Sequence, residues 1–210
     1  MKVLMLNGSS NKKGCTFTAL EEVGKTLVEE GIEYEIVQIG CDAVRDCCGC
    51  MMCNGKKCIF DDDPINEFVE KAREADGFIF GTPVYYAHPT GRILSFLDRA
   101  FFSCCDGLEY SPFAHKPAAA IASARRSGTT ATLDALQKYF TIAQMPIVSS
   151  TYWNMVHGWK PADIKKDLEG LQTLHNLARN MAWMLKSLEA GKKAGIMPPK
   201  QESGNMTNFI

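Results

Sequence analysis

This 210-residue chain lacks long apolar runs, a large net charge and internal repeats. Its longest apolar runs, such as the one around Phe78–Phe80, are far too short to span a bilayer. The 23 Lys and Arg residues nearly balance the 24 Asp and Glu residues, and this net charge of −1 argues against nucleic acid or a membrane as partner. The first apolar run is shorter than a secretory signal needs, so we expect a cytoplasmic protein.

Two nucleotide-binding motifs are also missing. The G-x-G-x-x-G fingerprint of dinucleotide-binding folds does not occur. The nearest approach to a G-x-x-x-x-G-K-[ST] loop has one residue too many between Gly8 and Gly14, and Cys15 stands where the lysine would be. These absences argue against a dinucleotide held in a glycine-rich turn and against a magnesium nucleotide held in a Walker loop.

What the chain does have is a regular alternation of strands and helices. Short apolar runs predict five strands, at Lys2–Leu6, Tyr34–Ile39, Gly77–Gly81, Pro117–Ala124 and Pro146–Ser150. Helical periodicity predicts helices between them, among them Thr16–Glu30 and Leu133–Ala143, and a long last helix over residues 161–188. The alternation indicates an α/β fold with a five-stranded parallel sheet, in the order 2-1-3-4-5, and helices on both faces. We expect one domain, residues 1–190, with a cysteine-rich loop inserted after the second strand, at 41–63, and an extended tail at 191–210.

In a parallel sheet of this kind, ligands bind beyond the carboxyl ends of the strands. The first strand ends at "NGSSNKKGCTFT", where small hydroxyl residues and Gly14 lead into a helix N-terminus. Backbone N–H groups, hydroxyls and the helix dipole together suit a phosphate. We therefore predict a site for a single phosphate without magnesium, as in flavin mononucleotide (FMN), contacted by Ser9, Asn11, Cys15 and Thr16. The alternative is an ordinary capped turn between a strand and a helix.

Two further loops are expected at the same edge of the sheet. The third strand leads into "GTPVYYAHPTG", whose turn residues, prolines and two aromatics suit a flat ring. The fourth leads into "SARRSGTT", whose arginines would place positive charge near a reduced flavin or a pyridine nucleotide phosphate. The predicted cofactor contacts in these two loops are Thr82, Pro83, Val84, Tyr85, Tyr86, Ser123, Arg125, Arg126 and Gly128. Taken alone, each loop also fits an ordinary solvated surface loop.

Six of the nine cysteines lie between residues 41 and 63. Four of them read C-x₂-C-x₂-C-x₄-C, and bacterial ferredoxins use C-x₂-C-x₂-C for three corners of a [4Fe–4S] cluster. A zinc ribbon pairs two C-x₂-C knuckles across a long separation, which this compact spacing disfavours. A reversible disulfide is a third alternative. The pattern leaves open whether these four cysteines bind a cluster or remain thiols; they are Cys47, Cys50, Cys53 and Cys58.

The segments "GSSNKKGCT", "GTPVYYAHPTG" and "SARRSGTTATL", together with the cysteine-rich loop, resemble the NADPH-dependent FMN reductase family, and more specifically its iron–sulfur flavoprotein branch. The likeness spans residues 1–190. It implies a flavodoxin-like three-layer fold, FMN bound by the three loops, all four cysteines on one cluster, and a homodimer or homotetramer. The sequence departs from the family pattern at Asn11, where many members have Arg, and at Cys15, where many have Asn.

Together, these features predict an FMN-dependent oxidoreductase. Electrons would pass from NAD(P)H or a reduced carrier to the flavin, and then to a cluster or another small-molecule or protein acceptor. No catalytic side chain is assigned, because the flavin performs the chemistry. A non-enzymatic electron carrier of the flavodoxin type and a flavin-binding redox sensor are the alternatives. Such carriers are usually strongly acidic, so the net charge of −1 speaks against the first of them.

Overall fold

The structure, a computed structural model, describes residues 1–106, 109–202, 204, 205 and 207; the other positions of the predicted tail lie outside the described residues. The strands are β1 (Lys2–Asn7), β2 (Glu33–Gln38), β3 (Gly77–Tyr85), β4 (His88–Pro89), β5 (Cys105–Asp106), β6 (Glu109–Tyr110), β7 (Ala118–Ala124) and β8 (Met155–His157). The helices are α1 (Cys15–Glu29), α2 (Ile65–Glu74), α3 (Gly91–Ser103), α4 (Thr129–Ile142), α5 (Pro161–Ile164) and α6 (Leu168–Lys193).

Five of the strands form a parallel sheet in the order β2-β1-β3-β7-β8. Numbered as the first to fifth parallel strands of the chain, this is the order 2-1-3-4-5, so the predicted topology is confirmed. Met5 lies between Ile36 of β2 and Ile79 of β3, and Phe80 pairs with Ala120 of β7. Since all five strands run the same way, their carboxyl ends share one edge of the sheet, here called the carboxyl edge. The short strand β4 adds an antiparallel sixth member beside β3.

Helices cover both faces of the sheet, because alternate strand residues point to opposite sides. Leu4 belongs to a core shared with α2, α3 and α4, whereas Met5 belongs to a core shared with α1, α5 and α6. The first core is rich in aromatic rings, and Phe101 stacks on Phe113 with ring centroids 4.2 Å apart. The small alanines of β7 leave room for these rings. Each fully buried ring contributes about 2–3 kcal/mol of apolar burial.

The last strand of the sheet differs from its predicted position. Residues 146–148 only bridge to the start of β7, where the Val148 N–H donates to the Ala118 carbonyl at 2.9 Å. Residues 149–154 then leave the sheet, and pairing resumes in β8. The expectation of a full strand over Pro146–Ser150 is therefore wrong, because two short segments share the edge position and neither is long enough to show a two-residue period.

Three element boundaries also differ from the prediction. β3 continues to Tyr85 and turns back into β4, and α4 begins at Thr129 instead of Leu133. The predicted last helix is two helices, and α6 starts where the Asp167 carboxylate accepts a hydrogen bond from the Gly170 N–H at 3.0 Å. No helix in the described part of the chain has the length and apolar character that crossing a bilayer requires.

Candidate functional site

The first loop, residues 8–14, is held by a chain of short polar turns. The Asn7 side-chain oxygen accepts from the Ser9 N–H at 3.1 Å, and the Ser9 hydroxyl accepts from the Asn11 N–H at 3.1 Å. The Asn11 side-chain oxygen in turn accepts from the Lys13 N–H at 3.2 Å. These hydrogen bonds within the loop define its shape, and a loop shaped by its own contacts loses less entropy when it binds a ligand. Ser9 and Asn11 shape the loop, and their predicted contact with a phosphate stays a prediction.

Helix α1 starts at this loop without a side-chain cap. Its N-cap residue is Gly14, and its first turn contains no acidic residue. The first N–H groups of the helix therefore remain available to an anion, at the positive end of the helix dipole. Burial and the nearby Asp163 carboxylate raise the pKa of the Cys15 thiol. The thiol stays uncharged at neutral pH, so it would not repel a bound phosphate.

The second loop is a β-hairpin between β3 and β4. Tyr85 pairs with His88, and the two turn residues between them have positive φ, 52° at Tyr86 and 58° at Ala87. These are the φ signs that a type I′ turn requires. Tyr86 is fully exposed and Tyr85 is half exposed, whereas Thr82 is buried at the base of the hairpin. The two predicted aromatic contacts therefore project from the hairpin rather than packing in the core.

The third loop, residues 125–128, meets the other two. Gly128 has φ 94°, and a Cβ at this position would lie 2.3 Å from the Ala87 Cα of the hairpin. The hydroxyls of Thr16 and Ser123 are hydrogen-bonded at 2.7 Å, which joins the start of α1 to the end of β7. The three predicted loops therefore come together at the carboxyl edge.

This third loop also leads into a second uncapped helix. The N-cap of α4 is Gly128, which makes no side-chain hydrogen bond, and the first turn of the helix has no acidic residue. Arg125 and Arg126 lie just before it, and both are exposed. Two arginines and a helix N-terminus give this side of the site a positive potential.

A fourth segment, which the predicted site did not include, follows β8 at the same edge. The ring Nε2 of His157 lies 3.1 Å from the Arg126 carbonyl oxygen, and the Cys15 thiol donates to the Gly158 carbonyl at 3.7 Å. Trp159 comes next, with 79% of its surface exposed. The three-residue strand before it carries no periodic pattern. The sequence signal that could have marked this segment is the pair of tryptophans on either side of that strand, Trp153 and Trp159.

The cysteine loop, residues 41–63, leaves β2 at the carboxyl edge and then runs along α3. At its start, Arg92 donates to the carbonyl oxygens of Cys41 and Asp42. Near its end, the Cys104 thiol, just beyond α3, donates to the Lys56 carbonyl at 3.9 Å. The later part of the loop therefore follows α3 away from the carboxyl edge, and only its start lies at that edge.

All four predicted ligand cysteines line one cavity beside the middle of α3. Cys47 and Cys50 are exposed, Cys53 is half-buried and Cys58 is buried. Burial raises the pKa of the Cys53 thiol, and the neighbouring Cys58, Cys50 and Cys47 raise it further. The burial of the four side chains thus decreases from Cys58 through Cys53 to Cys47 and Cys50.

The identity of these side chains suits an iron–sulfur cluster, since four thiolates form the usual ligand set. Cys58 is already fixed, because Asn66 accepts from its N–H at 2.9 Å and donates to its carbonyl at 3.0 Å. Within the described ranges, however, no three His, Cys, Asp or Glu side chains are gathered as a metal-binding group. Cluster binding would therefore need residues 47–53 to close onto the fixed Cys58.

A parallel 2-1-3-4-5 sheet with binding loops at its carboxyl edge defines the flavodoxin-like class of α/β proteins. The family model described as NADPH-dependent FMN reductase matches residues 1–160. An iron–sulfur flavoprotein of Methanocaldococcus jannaschii is 30% identical over 195 residues, which cover 90% of this chain and 100% of that protein. The chain therefore belongs to the NADPH-dependent FMN reductase family, and its redox function depends on a flavin.

Solved structures give the same fold. A flavodoxin from the Archaea superposes with a TM-score of 0.59 at 14% identity, covering 89% of this chain and 99% of that one. RosB, solved with bound 8-demethyl-8-formylriboflavin-5'-phosphate, superposes with a TM-score of 0.67 at 16% identity, covering 100% of this chain and 92% of that one. At these identities the likeness concerns the fold alone, and the predicted flavodoxin-like fold is confirmed.

Proposed function

We propose that this chain binds FMN where its three loops meet and reduces it with NAD(P)H. The observation that carries the proposal is the 2.7 Å hydrogen bond between the Thr16 and Ser123 hydroxyls, because it joins the start of α1 to the end of β7. The contact of Gly128 with Ala87 adds the hairpin to the same edge. The family description, which names both NADPH and FMN, supports the choice of ligands.

The FMN phosphate would lie at the uncapped start of α1. The preformed turns of the first loop and the free N–H groups of the helix supply donors, and the dipole favours the negative charge. The Thr16 hydroxyl can bond Ser123 and a phosphate oxygen together, since a hydroxyl has one donor and two acceptor sites. The proposed phosphate contacts are Ser9, Asn11, Cys15 and Thr16.

The flavin ring would lie between the hairpin and the third loop. Bound FMN supplies the redox chemistry, because it exchanges electrons both in pairs and singly. Residues of the chain hold the ring and supply positive charge from Arg125, Arg126 and the α4 N-terminus, where a reduced flavin would carry negative charge. The proposed ring contacts are Thr82, Pro83, Val84, Tyr85, Tyr86, Ser123, Arg125, Arg126 and Gly128.

We also propose that the cysteine loop holds one [4Fe–4S] cluster through Cys47, Cys50, Cys53 and Cys58. Their shared cavity supports this assignment, and so does the name iron–sulfur flavoprotein carried by the Methanocaldococcus relative. Such a cluster supplies a one-electron site between the flavin and a small-molecule or protein partner. The role of the four cysteines is to hold it, and the role of α3 is to anchor the loop that carries them.

The assembly and the setting are part of the same proposal. We propose a homodimer or homotetramer in the cytoplasm, built from a single domain of residues 1–190 with a tail at 191–210, and without a nucleic acid or membrane partner. Light scattering after size-exclusion chromatography tests the assembly. A mass of two or four 23.2 kDa chains is expected, and the mass of one chain would contradict it.

The nicotinamide donor is tested by mixing the FMN-loaded protein with NADPH or NADH without oxygen and following the flavin absorbance. We expect at least one of the two to bleach the flavin. Dithionite serves as the positive control for a reducible flavin. Bleaching by dithionite but by neither nicotinamide would contradict the reductase and favour the electron-carrier alternative.

A further inference from the structure

A buried arginine of α3 is surrounded by residues of the cysteine loop. Arg99, in the middle of α3, is the largest of the fully buried side chains in the described part of the chain and is only 2% exposed. A buried guanidinium costs free energy unless its charge and its donors are satisfied. Its partners therefore indicate what this side chain is for.

The hydrogen-bond partners of the Arg99 side chain among the described residues all belong to the segment 45–63. The guanidinium also lies over the Phe60 ring, 5.6 Å from its centroid. The acceptors are the Cys58 sulfur at 3.3 Å from Nε, the Arg45 carbonyl at 3.3 Å from Nη1, the Phe60 carbonyl at 3.0 Å from Nη2, and the Asp63 carboxylate.

This arrangement ties together the two ends of the segment that carries the cysteines. Arg45 precedes the first predicted ligand, and Asp63 follows the last one. A planar guanidinium with five fixed N–H donors can hold several acceptors at once, whereas a lysine ammonium is a compact point charge. Arg99 therefore sets the size of the loop that has to close around a cluster.

The same side chain also acts on a ligand sulfur. Its Nε–H donates to Cys58 Sγ, and its positive charge is offset by the Asp63 carboxylate. Adding an electron makes a cluster more negative, so a nearby positive charge and a donor to sulfur favour the reduced form. Removing Arg99 and removing the charge of Asp63 should shift the reduction potential in opposite directions.

We propose that Arg99 is a positioning residue that closes the cysteine loop and raises the reduction potential of the cluster bound there, with Asp63 limiting the rise. This inference rests on the [4Fe–4S] cluster of the proposed function. Arg99 lies in α3, away from the three loops assigned to FMN. A variant of Arg99 that still binds FMN is therefore folded, whatever its iron content.

The chain offers a matched control. Arg45 lies over the same Phe60 ring, 5.3 Å from its centroid, and pairs with Asp62 at 2.7 Å. It is exposed, whereas Arg99 is buried, and its side chain donates to a carboxylate rather than to a cysteine sulfur. Like Arg99→Gln, the variant Arg45→Gln removes one positive charge near the loop and one guanidinium from the Phe60 ring. Unlike Arg99→Gln, it leaves the donor to the Cys58 sulfur in place.

The experiment compares the full-length wild-type protein with Arg99→Gln, Arg99→Lys, Asp63→Asn and Arg45→Gln, all purified without oxygen. Iron and sulfide are measured per bound FMN, and the midpoint potential of the cluster is measured by a redox titration followed by EPR. Arg99→Gln should lose iron, and the cluster it retains should have a more negative potential. Asp63→Asn should shift the potential to more positive values, and Arg45→Gln should match the wild type.

General damage to the loop would not shift the reduction potential in opposite directions in Arg99→Gln and Asp63→Asn. These two variants therefore distinguish an effect on the potential from misfolding of the loop. Wild-type iron content and potential in Arg99→Gln would overturn the inference while leaving the proposed function intact. FMN without iron in the wild type would defeat the cluster proposal, and this inference with it. If Arg99→Gln fails to bind FMN, the variants Arg99→Lys and Asp63→Asn decide. Arg99→Lys must lose iron and Asp63→Asn must show the positive shift, and wild-type behaviour of both would overturn the inference.

Discussion

Among single residues, Thr16 and Ser123 show why the flavin site was only partly predictable. Thr16 lies at the start of α1, just after the first loop, and Ser123 lies near the end of β7. Glycines and small hydroxyl residues surround both positions, and this composition marks a binding loop. Their 2.7 Å hydrogen bond joins positions 107 residues apart, and nothing local in the sequence encodes it. The loops could therefore be found from the sequence, whereas their contact needed the folded sheet.

Replacing Thr16 by valine tests the proposed phosphate contact. Thr16→Val keeps the shape of the side chain and removes the hydroxyl, so FMN affinity should fall about tenfold, or about 1.4 kcal/mol. The dissociation constant is measured by quenching of flavin fluorescence on titration with apoprotein. Thr26→Val is the control, because the Thr26 hydroxyl bonds the Glu22 carbonyl further along α1. Equal affinity of Thr16→Val and wild type would contradict the assignment.

Replacing Gly128 by alanine tests the contact between the hairpin and the third loop. The position has φ 94°, and the added Cβ would clash with Ala87, so unfolding should become easier by about 1–3 kcal/mol. Denaturant unfolding gives this free energy. Gly91→Ala is the matched control, since a Cβ there would meet no atom within 4 Å, and its effect should stay within about 0.5 kcal/mol. Similar losses in both variants would argue against the close contact.

At the scale of elements, long segments with a clear period were predictable and short ones were not. The helix α1 was found within a residue at each end, because its apolar face repeats over four turns. The strand β8 has only three residues, and its pairing partner β7 is shared with residues 146–148. Tertiary pairing, rather than a local pattern, defines such a strand.

Helix α3 supports both the aromatic core and the cysteine loop, and adjacent residues in it test its orientation. Phe101 is buried against Phe113, whereas Phe102 is 41% exposed. Phe101→Ala should lower the free energy of unfolding by about 3–5 kcal/mol, and Phe102→Ala by less than about 1 kcal/mol. Denaturant unfolding of the two variants measures the difference. Equal losses would mean that α3 is rotated from its described position.

At the scale of the whole molecule, the alternation of strands and helices was sufficient to predict the sheet order. It was not sufficient to locate the cysteine cavity, because that location depends on contacts such as the one between Arg99 and Cys58, 41 residues apart. Arg99 lies seven residues after Arg92 in α3, which corresponds to about 10 Å along the helix from the carboxyl edge. The molecule thus holds two separate regions suited to redox chemistry, joined by one helix.

The most direct test of the account is to measure FMN, iron and sulfide per chain in protein purified without oxygen, beside its visible spectrum. The account predicts about one FMN, with about four iron and four sulfide, the content of one [4Fe–4S] cluster. A protein that binds FMN but contains neither iron nor sulfide would contradict the assignment of Cys47, Cys50, Cys53 and Cys58. A protein that takes up no FMN at all would contradict the flavin site itself.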